Sequence, residues 1–228
     1  MIKYLQLPVH FDAVQMQQEL SNFQNKDWQL HYQKLHYEGE WSAIPLRSIY
    51  GDAENILISP QENSVYEDTS FLKISPYYQE VLSFFKCPLQ AVRLLNLKPG
   101  AVIKEHRDAE LNFEKGEIRI HIPVVTNEQV EFYLDKERIY LKEGECWYMN
   151  FNLRHSIVNN SKADRVHLVI DAIVNDWVKD LFLNPDLLKK EIDEPGYDLE
   201  TKNQIIKSLR EINSEISNLM ADEMEASS

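Results

Sequence analysis

Between Val92 and Val174 the chain is cut into eight short runs of strand-forming residues, and this spacing limits the fold more than any other feature of the sequence. The runs are Val92 to Leu97, Ala101 to His106, Glu117 to Val124, Val130 to Leu134, Arg138 to Leu141, Cys146 to Met149, His155 to Val158 and Arg165 to Val174. Turn signals punctuate them, Pro99-Gly100, Asp135-Lys136 and Glu143-Gly144 among them. Parallel strands need helix-length crossovers, and no helical pattern lies between these runs. An all-β sandwich, barrel or jelly roll is expected.

The flanks differ. Residues 12 to 24 read as a helix with Asp12 as N-cap, Trp28 to Tyr50 as aromatic strand-like pieces, and 51 to 70 as an irregular acidic loop. Ser75-Pro76 opens a short helix through Phe85, which Cys87-Pro88 ends. After Asn175 the pattern turns helical, with Asn184-Pro185 opening one segment and Pro195-Gly196 separating it from a longer helix. In that helix Ile205, Leu209, Ile212, Ile216 and Leu219 form one apolar stripe. About two heptads fall short of a coiled coil, so packing on its own domain is favoured over a homodimer through this helix. At about 150 residues per domain, 228 residues make one domain with an appendage. The expected division is an N-terminal α/β segment over 1–90, a β core over 91–175 and a helical extension over 176–228.

Composition removes several function classes. With 24 basic and 37 acidic residues the net charge is −13, which repels phosphate backbones and anionic lipid, so no nucleic acid or membrane partner is expected. No apolar run approaches a membrane span, and the N-terminus lacks the pattern of a signal peptide, so a cytoplasmic location is expected. The two cysteines, Cys87 and Cys146, read as reduced core thiols. The six glycines stand far apart, and neither nucleotide-binding glycine loop is present.

Four of the seven histidines, His106, His121, His155 and His167, fall in the β region. In His106-Arg107-Asp108 the first and third residues project to one side of a strand end and can grip one ion. With a distant histidine they would form the two-histidine, one-carboxylate set of non-haem Fe(II) oxygenases, which leaves positions open for cosubstrate and oxygen. Strict alternation in Glu117 to Pro123 puts Ile118, Ile120 and Ile122 on one face and Arg119 with His121 on the other. A wet polar face is the simpler reading of that strand alone; a bound anion is the other, since a guanidinium suits a carboxylate. His155, His121 and His167 compete to be the third ligand. Only His155 has an arginine ten positions later on the following strand, Arg165, which would let the metal take one end of a dicarboxylate and the arginine the other.

The runs R93-LLNLKPGAVIKEHRD108, R119-IHIPVVTN127, G144-ECWYMNF, R154-HSIVNN160 and R165-VHLVID171, with W41-SAIPLRS48 more loosely, resemble the aspartyl/asparaginyl β-hydroxylase family of Fe(II)/2-oxoglutarate dioxygenases. Its bacterial branch includes cis-proline hydroxylases. The resemblance implies a double-stranded β-helix, cupin-like in architecture, with Fe(II), 2-oxoglutarate and O2 as cofactor and cosubstrates. Carried over by position, it implies that His106, Asp108 and His155 bind iron, that Arg165 pairs with the distal carboxylate of 2-oxoglutarate, and that His121 helps hold it. Arg93 and Arg119 become candidates for a substrate carboxylate, with Trp41 and Arg47 as pocket-wall or structural residues. His167 reads as a supporting core histidine, Trp147 and Tyr148 as core with Tyr148 within reach of the cosubstrate, and His10, His31 and His36 as outside the metal motifs. Asp108 favours the branch acting on free amino acids or small peptides. The expected activity is hydroxylation of an unactivated C–H with succinate and CO2 as coproducts. The alternatives are a hydroxylase of protein side chains and a cupin-like metal-binding module without oxygenase activity.

Overall fold

The computed structural model describes residues 1–58, 64–192 and 199–226. In chain order its elements begin β1 (Ile2–His10), α1 (Ala13–Leu20), β2 (Gln29–Leu30), β3 (Tyr37–Glu38), β4 (Trp41–Ile49), β5 (Tyr66–Asp68), α2 (Ser70–Lys73) and α3 (Pro76–Ser83). Eight strands follow: β6 (Leu89–Leu97), β7 (Val102–His106), β8 (Glu117–Val125), β9 (Val130–Leu134), β10 (Glu137–Ile139), β11 (Glu145–Met149), β12 (His155–Asn159) and β13 (Arg165–Ile173). The chain continues through α4 (Asp176–Phe182), β14 (Lys189–Glu191), α5 (Leu199–Ile212) and α6 (Glu215–Ala226). Among these residues no helix is long and apolar enough to cross a membrane.

Two antiparallel sheets face each other as a double-stranded β-helix. The larger runs β14-β1-β11-β8-β13-β6-β4-β2, with β5 also on β4, and the smaller runs β10-β9-β12-β7-β3. Alternation along β8 decides what each face of the larger sheet does. Ile118, Ile120 and Ile122 join a core with Met16 of α1, Tyr78 and Val81 of α3, and Val178 and Phe182 of α4. Each such isoleucine stabilises the fold by roughly 1.5–3 kcal/mol relative to exposure. Arg119 and His121 point the other way, and they too are buried. Helices cover one face, so polar chemistry is confined to the other.

Local signals position these helices. Asp12 Oδ1 accepts the Val14 and Gln15 amides at the start of α1, and Asn175 Oδ1 accepts the Val178 amide at the start of α4. At the β9–β10 turn Asp135 and Lys136 both take positive φ, the two-residue geometry that suits a twisted hairpin. Gly144 has φ +79°, and a Cβ there would run into the Phe11 carbonyl and the His10 ring. Gly144→Ala should therefore cost more than about 2 kcal/mol, read as a lower urea midpoint; an unchanged midpoint would show that the β1–β11 edge can yield.

The compact units are Ile2–Glu191 and, separately, Met1 with the chain from Ile192. They differ from the sequence division at 90 and 175 because β1 and β4, from the N-terminal segment, are strands of the larger sheet itself. The expected acidic loop contains β5, which pairs Tyr66 to Asp68 with Ile49 to Arg47. The helix expected to open at Asn184-Pro185 is absent: α4 ends at Phe182 and β14 follows. Pro195-Gly196 lies outside the described residues. The single stripe-bearing helix is two, α5 and α6, parted at Asn213, whose φ of 51° is left-handed. Arg210 of α5 meets Asp222 of α6 at 2.6 Å.

Candidate active site

One register pair carries the site. His155 on β12 lies directly opposite His106 on β7, beside an irregularity where His155 to Ile157 opposes His106 to Ile103. Such a bulge re-aims side chains locally. The two rings sit 4.2 Å apart between centroids. Asp108, just past the end of β7, is placed by its amide, which donates to the Phe151 carbonyl at 2.9 Å. Ligand-type atoms of His106, Asp108 and His155 all lie within 4.8 Å of one another, with His106 Nε2 3.9 Å from Asp108 Oδ1.

Tautomers follow from the backbone. His106 Nδ1 donates to the Lys104 carbonyl at 2.7 Å, and His155 Nδ1 donates to the Leu153 carbonyl at 3.1 Å. Each histidine thus offers an Nε2 lone pair, the arrangement by which a carbonyl orients a metal-ligating imidazole. Burial, with His106 beside it, pulls the His155 pKa down to about 4, so its lone pair is free at neutral pH. Burial alone would raise the Asp108 carboxyl, but Arg119 and the two imidazoles outweigh it and hold Asp108 ionised. Arg119 Nη1 donates to Asp108 Oδ2, leaving Oδ1 as the oxygen turned to the histidines. Two imidazole nitrogens and one anionic oxygen suit a divalent iron-type ion.

Around this set lies a cavity of about 530 Å³, the size of a small-molecule site, lined by all three residues and by Trp41, Arg93, Arg119, His121 and Arg165. β13 and its neighbours build its charged wall. Asp171 stands opposite Arg119 of β8, and Val169 opposite Arg93 of β6. Asp171 therefore accepts from both arginines: Arg119 Nε at 2.6 Å, Arg119 Nη2 at 3.3 Å and Arg93 Nη2 at 3.0 Å. Asp171 and Asp108 raise the Arg119 pKa further despite burial, whereas burial outweighs Asp171 and lowers that of Arg93.

Arg165 is different. It is 2% exposed, and among the described residues no carboxylate pairs with it. Its Nη2 donates to His167 Nδ1 at 3.0 Å, and burial pulls its pKa down to about 9. His121 Nδ1 lies 3.3 Å from the same His167 nitrogen; since arginine can only donate, His167 Nδ1 is the acceptor and His121 Nδ1 the donor. Burial drives both imidazoles far below their usual pKa, so both are neutral. A buried guanidinium without a counter-charge, on a cavity wall, calls for an anion.

The structure brings together His106, Asp108, His155, Arg165, His121, Arg93, Arg119 and Trp41 around one space. Arg47 does not join them: it ties Asp68, Tyr66 and Leu89 together at the edge of the larger sheet. Tyr148, expected within reach of a cosubstrate, instead accepts the Phe113 amide and packs on Phe182 in the helix-covered core. Sequence reasoning missed His31 and the role of Asp171 as joint counter-ion. The first lies in an aromatic stretch without a motif, and the second needs the register of three strands. His36, also set aside, has its ring 5.0 Å from that of His106.

The family profile described as aspartyl/asparaginyl beta-hydroxylase matches residues 10–174. An L-proline cis-4-hydroxylase of Rhizobium meliloti (strain 1021) is 28% identical over 166 residues, covering 72% of this chain and 58% of that protein. An L-proline cis-3-hydroxylase 1 of a Streptomyces species is 31% identical over 138 residues, covering 58% of this chain and 47% of that protein. The chain thus spans about half the length of these relatives. A solved oxidoreductase of the 2OG-Fe(II) oxygenase family from Burkholderia pseudomallei superposes with a TM-score of 0.47 at 13% identity, covering 76% of this chain and 86% of that one.

Proposed function

The chain belongs to the aspartyl/asparaginyl β-hydroxylase family, and on that premise we propose that it is an Fe(II)/2-oxoglutarate-dependent dioxygenase. It hydroxylates an unactivated C–H of a free amino acid or small amino-acid-like carboxylate, releasing succinate and CO2. The observation that carries this reading is the unpaired buried Arg165 in the same cavity as a two-histidine, one-carboxylate set. A simple metal site has no use for that cation.

In this reading His106 Nε2, Asp108 Oδ1 and His155 Nε2 hold the iron, and Arg165 holds the distal carboxylate of 2-oxoglutarate, with His121 packed beside it. Iron and 2-oxoglutarate supply the oxidising power, one oxygen atom of O2 entering succinate and the other the product hydroxyl. The protein's share is position and dryness. Arg119 ties down the second oxygen of Asp108, so the carboxylate presents one atom to the metal. The buried guanidinium groups suggest the substrate class. Arg93 and Arg119 share the Asp171 carboxylate, and their remaining N–H groups suit a substrate carboxylate. Arg93 and Arg119 are placed to meet it. The cavity volume suits a free amino acid, and the relatives' substrate makes L-proline the first compound to screen.

The test is anaerobic titration of the Fe(II)-loaded protein with 2-oxoglutarate, watching the visible charge-transfer band of a chelated 2-oxo acid. A saturable band is expected. Arg165→Gln should raise its midpoint at least about 30-fold, as expected when one partner of a buried charge pair is truncated. An unchanged midpoint removes the anchoring role of Arg165. No band with iron bound favours the cupin-like metal-binding module.

A further inference from the structure

His31 lies outside both the metal set and the arginine–aspartate network, yet it lines the same cavity. It follows β2, where its amide donates to the Trp41 carbonyl at 2.8 Å and its carbonyl accepts from the Tyr37 hydroxyl at 3.2 Å. Its ring is sandwiched between two others. Trp41 lies 3.5 Å away between centroids at 15°, and Tyr32 lies 4.6 Å away at 24°. Stacked on both sides, the imidazole cannot rotate without losing both contacts.

One ring nitrogen is spoken for. The Gln33 amide donates to His31 Nδ1 at 3.4 Å, so Nδ1 carries the lone pair and Nε2 the hydrogen. Among the described residues Nε2 has no hydrogen-bond partner, and it is not among the walled-in polar atoms, although the residue is only 3% exposed. Its open side is the cavity. Burial, reinforced by Arg93 and Arg119, pulls the His31 pKa down to about 3, so the ring is a neutral, single-donor group throughout the working range.

That positive field also says what the N–H can meet. An ammonium would be repelled by the two guanidinium groups and would find no acceptor on Nε2. An anionic oxygen is drawn in by the same groups, and Arg93 has donor capacity to share: among the described residues its Nη1 reaches only the Ile56 carbonyl, at a long 3.4 Å. We propose that His31 is a substrate-binding residue whose Nε2–H donates to the substrate carboxylate alongside Arg93. This rests on the reading above that the substrate is an amino-acid-like carboxylate. A guanidinium with several N–H donors accepts a carboxylate in more than one position, whereas a stacked ring with one fixed N–H accepts few. His31 thereby restricts which carboxylates place a C–H at the iron.

The experiment uses the anaerobic Fe(II)–2-oxoglutarate protein, titrated by calorimetry and by perturbation of the visible band with L-proline and then the other free amino acids. Three forms are compared for the tightest ligand: the wild type, His31→Phe, which keeps a stacking ring without the donor, and His31→Gln, whose amide nitrogen reaches the Nε2 position. His31→Phe should bind the amino acid at least tenfold more weakly, His31→Gln should recover most of that loss, and the 2-oxoglutarate midpoint should stay within twofold in both. Equal binding by His31→Phe overturns the proposal. So does an equal loss in both variants, since the donor restored in His31→Gln would then recover nothing, and so does a matching loss of 2-oxoglutarate affinity. A band in the wild type that no amino acid perturbs defeats the amino-acid reading and takes this proposal with it. Amino-acid binding that is indifferent to His31 defeats this proposal alone.

Discussion

His106→Ala is expected to abolish substrate-dependent succinate release while leaving the protein folded. His106 sits at the end of β7, half-buried at the cavity, and its side chain bonds to the nearby Lys104 carbonyl. Truncating it removes a metal ligand without opening the helix-covered core. A bound metal supplies several kcal/mol of reaction-centre stabilisation, so turnover should fall by about three orders of magnitude or more. Iron content, circular dichroism and succinate yield, measured together, check this. Full activity in a correctly folded variant would remove His106 from the metal set and require a different second nitrogen.

The second large effect is on stability. Asp171→Ala should destabilise the protein by about 3–5 kcal/mol, because it strands the guanidinium of Arg93 and leaves Arg119 with Asp108 as its remaining counter-ion, in a wall from which solvent is excluded. Asp171 is 1% exposed, and solvent screening gives little relief. For a domain of this size the melting temperature should drop by roughly 10 °C or more. Adding Arg93→Met to Asp171→Ala should recover part of the loss by removing one stranded charge; a double variant no better than the single one would show that the loss comes from packing rather than charge. A single variant melting within about 2 °C of the wild type would deny Asp171 its role as shared counter-ion.

The two predictions draw on residues of unequal legibility. His106 and Asp108 show in the sequence because the spacing that lets them share a side of a strand end is local. The eight β segments show for the same reason: turn chemistry and alternation act over a few residues. Asp171 is visible as an acid but not as a counter-ion, since its role depends on β13 lying between β8 and β6. The first strand is not legible locally because its partner, Glu145 to Met149, lies well over a hundred positions away. His31 carries no motif, and only the pairing of β2 with β4 brings it against Trp41. At Asn213 a local pattern misled. The apolar stripe runs on through residue 212 to 216 while the backbone turns left-handed between them.

The direct opposition of His155 and His106 has a further consequence for the apoprotein. These two residues join the middle strands of the smaller sheet, β12 and β7, at one rung. A one-residue slip of either strand would turn its imidazole to the opposite face, so only the native register can coordinate an ion with both. The bound ion would then act as a rivet that rewards one strand alignment and none of its neighbours, adding RT ln(1 + [M]/Kd) to that alignment alone. Iron stoichiometry becomes an assay of folding fidelity as well as of loading. In hydrogen exchange, the amides of β7 and β12 should gain protection on metal addition before those of the helix-covered sheet do.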